Sequence, residues 1–205
     1  MGSGKTEKES PFIKFLGTAG ARFVVARQLR YSAGTFISAR GQQLMLDPGP
    51  GTLVRCAKSR PAIDVTKLNA VILTHAHLDH SNDVNILIDA LTHGGLKKRG
   101  VLFAPQQCLR GKNAVVLEYV KDFLEDIIIL KPSHHYQLGN LRFATSMPHD
   151  HEVETYGIKF ALDGQRLAGH HLAAQAQGQR DDHRKQPRSG ETSGEDAVVA
   201  RGNPR

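Results

Sequence analysis

One stretch constrains this chain more than any other: Ala70-Val-Ile-Leu-Thr-His-Ala-His-Leu-Asp-His80. It reads as a short buried strand, Val71 to Leu73, running out into a loop that carries His75, His77, Asp79 and His80. Imidazole and carboxylate are both good ligands for a borderline cation such as zinc, and here four such side chains fall within six residues. The alternation of His75 and His77 lets two imidazoles converge from one extended loop. Asp79 and His80 are adjacent and stand just before an apolar helical pattern, so they point to a second position nearby. The arrangement suggests two metals. A solvated histidine-rich turn is a poor competitor, because such turns are seldom launched from a fully apolar strand.

The flanking sequence alternates short strands with helices, which predicts an α/β layered sandwich. Strands are expected at Pro11–Thr18, Thr35–Ser38, Gln43–Leu46, Val101–Ala104, Leu141–Ser146 and Glu154–Leu162, with a core strand at Ile127–Leu130. Helices are expected at Thr52–Ser59, at Val115–Leu124, and along the stripe Val84, Ile86, Leu87, Ile88 and Leu91, which Gly94-Gly95 terminates. Proline and glycine in Asp47-Pro-Gly-Pro-Gly51 forbid continuation of the preceding strand. A carboxylate at that corner either braces the histidine loop by accepting backbone N–H bonds or is an ordinary turn aspartate. His134 and His135 fall in a loop and read as surface residues. Lys97-Lys98-Arg99 reads as a solvated basic turn rather than a nucleic-acid patch.

His75-Ala-His77-Leu-Asp79-His80 resembles the HxHxDH signature of the metallo-β-lactamase superfamily. Leu46-Asp47-Pro48-Gly49 resembles that family's strand-ending Asp-x-Gly element, and His151-Glu-Val-Glu-Thr-Tyr-Gly157 resembles its third motif. With Phe15-Leu16-Gly17-Thr18 near the start, the order is most similar to the ribonuclease Z and phosphodiesterase branch, over residues 12 to 163. The resemblance implies an αββα sandwich with an incomplete second half. It implies that His75, His77 and His151 hold one zinc, while Asp79 and His80 hold a second and Asp79 orients the attacking water. His151 is preferred to His149 because the ligand histidine of that branch lies six residues before the glycine, here Gly157. His149 is then either a second partner to a ligand or a plain loop histidine. The implied activity is hydrolysis of a phosphodiester, of RNA or cyclic-nucleotide type, by water activated on zinc. The alternative is a non-catalytic or weakly active metal-binding remnant of such a hydrolase. A basic RNA-binding module lacks any aromatic stacking platform to support it.

A family member would be expected to supply, after the third motif, a metal-bridging aspartate on a later strand and a final histidine. Asp163 follows its strand too closely to bridge, and Asp181-Asp182 lies in polar sequence. From residue 164 onward, glutamine, arginine, glycine and aspartate dominate, so too little apolar surface is present to offset ordering entropy. The expected organisation is a disordered terminus over 1–10, a partial metallo-β-lactamase-like domain over 11–163, and a disordered tail over 164–205 that carries His170 and His171. The fold reads as truncated, as after a reading-frame shift. The second metal site is therefore expected to be incomplete and turnover impaired.

Gly2-Ser-Gly-Lys-Thr6 mimics both a phosphate-binding loop and a myristoylation signal, but it lacks the strand and upstream glycine the former needs. No run approaches the roughly 18 apolar residues of a membrane span, and no secretory signal opens the chain. Two cysteines, Cys56 and Cys108, imply no disulfide framework, so the cytoplasm is the expected compartment. The net charge of +7 favours a phosphoester or nucleic-acid substrate by steering.

Overall fold

Strand-forming runs punctuated by glycine and proline corners build two facing sheets in the computed structural model, which describes residues 11–19, 22–27, 29–162 and 165–169. The expectations for residues 1–10 and for Asp163, His170, His171, Asp181 and Asp182 lie outside them. In chain order the elements are β1 (Phe12–Gly17), α1 (Arg22–Ala26), β2 (Gly34–Ala39), β3 (Gln42–Leu46), α2 (Thr52–Lys58), β4 (Ala70–Ile72), α3 (Leu78–Ser81) and α4 (Val84–Leu91). There follow β5 (Val101–Ala104), α5 (Gln106–Leu109), α6 (Glu118–Lys121), β6 (Asp126–Ile129), β7 (His135–Leu138), β8 (Leu141–Pro148), β9 (Tyr156–Leu162) and β10 (Gln165–Gly169).

The first sheet runs β1-β2-β3-β4-β5-β6 and the second β10-β9-β8-β7. β1, β2 and β3 form an antiparallel meander, closed between β2 and β3 by Arg40 and Gly41, both at positive φ (52° and 75°). Two left-handed residues make a turn whose twist matches that of the flanking strands. From β3 to β6 the strands are parallel. Their carboxyl ends therefore lie along one rim, where open parallel sheets place their sites.

β4 shows how the sandwich is filled. Val71 and Leu73 join the core between the first sheet and helices α2, α4, α5 and α6. Ala70 and Ile72 face the other way, into the core between the sheets. Alternation with apolar residues on both faces is what a strand buried on both sides requires. Phe143 anchors the inter-sheet core, 5.0 Å from the Phe103 ring centroid, 5.3 Å from Tyr136 and 5.6 Å from Phe160. The architecture is thus helix, sheet, sheet among the described residues, with no helix on the outer face of the second sheet there. None of the described helices is long and apolar enough to cross a membrane.

Three expectations are corrected. The helix expected over Val115–Leu124 shortens to α6, because the N–H groups of Val115 and Val116 both donate to the Cys108 carbonyl and Leu117 N–H to Asn85 Oδ1. Those bonds pull three residues out of helical register. The core strand expected at Ile127–Leu130 is found as β6: its isoleucines are half-buried against both cores and Leu130 is buried between the sheets, although β6 is the edge of the first sheet among the described residues. Ile86 points outward (54% exposed), so the α4 stripe is Val84, Leu87, Ile88 and Leu91. His135 opens β7 instead of lying in a loop, although it and His134 are exposed as expected. The second sheet also gains β10, a few residues past the boundary expected at 163.

Candidate metal centre

The centre grows from the rim of the parallel strands. Leu46 pairs with Ile72, so the loops leaving β3 and β4 start level with each other. Asp47 N–H donates to the Ile72 carbonyl at 2.9 Å, and Leu73 N–H to that of Phe103. Asp47 itself sits at φ 50°, a left-handed conformation unusual for a residue with a side chain. The turn aims its carboxylate back at the histidine loop, where Thr74 N–H donates to Oδ1 at 2.7 Å and the Thr74 hydroxyl donates to Oδ2 at 2.7 Å. The bracing role left open for Asp47 is thus the geometry found. Gly49 completes the corner: a Cβ there would fall 2.0 Å from the Asp79 carbonyl oxygen.

Thr74 was not singled out in the sequence; its place between an apolar strand and the first histidine was the available signal. Its one hydroxyl proton goes to Asp47, so its contact with His75 Nδ1 at 2.8 Å has to be an accepted bond. His75 then carries its proton on Nδ1 and turns Nε2 outward. His80 Nδ1 lies 3.0 Å from Asp47 Oδ2, which selects the same tautomer there. One buried carboxylate and one hydroxyl therefore orient two imidazoles, the outer-sphere arrangement that metal-ligating histidines require.

The third imidazole comes from the connection between β8 and β9. His151 Nε2 lies 3.1 Å from His77 Nδ1, and the His151 ring lies 5.4 Å from the His75 ring. One donor atom from each of His75, His77 and His151 lies within 4.8 Å of the others. Nitrogens bound to one tetrahedral zinc at about 2.0–2.1 Å sit about 3.3 Å apart, so this donor set fits a metal with modest closure. Burial first, and then the His151 imidazole beside it, hold His77 below its ordinary pKa, which favours the neutral form a metal needs.

A second converging group contains Asp47, His75 and His80, all buried. Asp47 already accepts three bonds, so it serves to orient His80 rather than to bind. Asp79 Oδ2 lies 3.5 Å from His80 Nε2, which puts the two neighbours' donor atoms side by side. His149 belongs to neither group; its Nε2 lies 3.3 Å from Ser146 Oγ, in space left by the missing side chain of Gly157. His134 packs against Tyr136, with ring centroids 5.0 Å apart.

Residues 42–176 match the beta-lactamase superfamily domain. The chain is 31% identical over 153 residues to an uncharacterized protein of Methanocaldococcus jannaschii, covering 73% of this chain and 56% of that one. It is 29% identical over 160 residues to the ribonuclease Z of Methanopyrus kandleri, covering 77% of this chain and 52% of that one. Among solved structures, the metallo-beta-lactamase fold protein YhfI from Bacillus subtilis superposes with a TM-score of 0.57 at 18% identity, over 78% of this chain and 61% of that one. The chain thus spans about half the length of the curated relatives it matches.

Proposed function

Because this chain belongs to the beta-lactamase superfamily, we propose that it is a metal-dependent hydrolase acting on phosphodiester bonds of the RNA or cyclic-nucleotide kind. The observation that carries the reading is the convergence of His75, His77 and His151 from two loops far apart in sequence. In this reading these three hold one zinc, and Asp79 and His80 contribute to a second position. A bound divalent cation supplies a Lewis acid for the scissile group and acidifies water, so a nucleophile exists at neutral pH.

The chain's own residues do the rest. Thr74 and Asp47 hold His75 and His80 as Nδ1–H tautomers with Nε2 facing the centre. Asp79, half-buried beside His80, accepts a hydrogen bond from the attacking water and orients it. The net charge of +7 attracts a polyanionic substrate, and the Methanopyrus ribonuclease Z supports a phosphodiester over other esters. Cys56 and Cys108 are buried free thiols, in keeping with a cytoplasmic, reducing setting.

One observation favours a second reading, a non-catalytic metal-binding remnant. Among the described residues, no group of three converging donors includes Asp79. Hydrolysis of bis-p-nitrophenyl phosphate by the zinc-loaded chain, with His77→Ala as control, decides between them. Turnover that vanishes in His77→Ala supports the hydrolase. Tight zinc uptake without turnover supports the remnant, and turnover that survives His77→Ala sinks the site itself.

A further inference from the structure

His151 is carried by the seven residues between Pro148 and Tyr156, which form neither helix nor strand. Such a segment reaches the first sheet only where something ties it there. One tie is general: Tyr156 N–H donates to the Thr74 carbonyl at 3.1 Å, joining the start of β9 to the histidine loop. A second is specific. Glu154 N–H donates to Gln107 Oε1 at 2.8 Å, while Gln107 N–H donates to Glu154 Oε2 at 3.3 Å. The second carboxylate oxygen, Oε1, accepts the Tyr156 hydroxyl at 2.7 Å. Glu154 is therefore held by its backbone and by both oxygens, three residues from His151. Gln107 belongs to α5, which directly follows β5, the neighbour of the strand that launches His75 and His77.

We propose that Gln107 and Glu154 are positioning residues: their reciprocal clasp pre-places His151 for the metal, an inference that rests on the metal-centre reading above. A ligand supplied from irregular chain lowers affinity by the fraction of time it is out of place. Removing the clasp leaves the sheet bond of Tyr156, and so the fold, in place. It releases the segment that carries the third imidazole.

The test uses the full chain and zinc ions, with Gln107→Met as the first variant. Methionine keeps the length of the side chain and removes the acceptor for Glu154 N–H. Glu154→Met is the second variant; methionine has no oxygen to accept from Gln107 N–H or from the Tyr156 hydroxyl. Zinc affinity is measured by competition with a chromophoric chelator, and thermal melting is followed in EDTA. The expected result is zinc binding weakened by about tenfold in each variant, within the range seen for outer-sphere partners of ligands. The double variant should be no weaker than the worse single one, as for two halves of one contact. Melting in EDTA should stay near wild type. If Gln107→Met does not fold, Glu154→Met carries the test.

Wild-type affinity in both variants overturns the inference, and so does an affinity loss matched by an equal loss of metal-free stability. A wild-type chain that takes up no zinc overturns the metal-centre reading, and the clasp's role with it. A wild type that binds while the variants bind equally well overturns the clasp alone.

Discussion

His151 Nε2 lies 3.1 Å from His77 Nδ1, although 74 residues of chain separate them. That contact is a single hydrogen bond, whereas a cation between the two rings and His75 would gain from all three. Replacing either histidine with alanine removes one of three nitrogens. Zinc titration by calorimetry is expected to show one tight site in the wild type and its loss in His77→Ala and His151→Ala, with metal-free melting changed little. Two tightly held zincs per wild-type chain would refute the expected incompleteness of the second site.

Asp47 and His80 make the metal-free protein sensitive to pH in both directions. Burial opposes charge on Asp47, but the bonds from His80 and Thr74 outweigh it and hold the carboxyl below its ordinary value. Burial likewise opposes charge on His80, but Asp47 outweighs it and raises the imidazole above its ordinary value. The lowered carboxyl stabilises the fold above its unfolded value of about 4, and that stability is lost as pH falls through the folded one. The raised imidazole stabilises fully below about 6.5 and loses its share as pH rises through the folded value. Melting in EDTA is expected to peak between these limits, and Asp47→Asn to flatten the profile and cost about 3 kcal/mol near its maximum. A profile of Asp47→Asn that matches wild type would sink this account.

Gly49 leaves room for the backbone of α3. A methyl group there would fall 2.0 Å from the Asp79 carbonyl oxygen and 2.9 Å from that of Ala33, and neither can yield as a flexible side chain would. Ala33 N–H also donates to the same Asp79 carbonyl. Gly49→Ala is expected to push α3 outward, costing about 2–3 kcal/mol in urea unfolding. Zinc uptake should weaken with it; an unchanged unfolding midpoint would contradict the contact.

Phe143 tests the sandwich rather than the site. It is 2% exposed and touches aromatic rings from both sheets. Phe143→Ala is expected to cost about 3–5 kcal/mol. Denaturant melts would show it as a lower midpoint at unchanged slope, and a loss under 1 kcal/mol would mean the sheets can close over the cavity.

Legibility in the sequence followed how local each cause was. The run from Val71 to His80 announced both a strand and a loop of candidate ligands, because its information lies within a dozen residues. His151 was preferred to His149 on the spacing to Gly157 that the resemblance implies, and the structure brings His151, not His149, among the converging donors, with His149 in the space that Gly157 leaves. Val115 and Val116 misled because their N–H groups bond to Cys108, a partner that helical spacing does not reveal. Ile127 to Leu130 read correctly as a core strand, but its place at the edge of the sheet was not legible, because an apolar run looks alike at the centre of a sheet and at its edge.

The sequence by itself determined the period of each strand, the corner at Asp47-Pro-Gly-Pro-Gly51, and the presence of donors able to take a metal. Those follow from side-chain chemistry and from what proline and glycine permit. Only the tertiary structure decided that Asp47 orients His80, that Thr74 selects the tautomer of His75, and that Glu154 grips Gln107. Each of these depends on a hydrogen bond between atoms brought together by sheet register and loop path. Apart from the bond between the neighbours Thr74 and His75, their partners lie 33 and 47 residues apart in the chain. Hydrogen bonds act over about 3 Å, and no spacing along a chain encodes a distance that short across a fold.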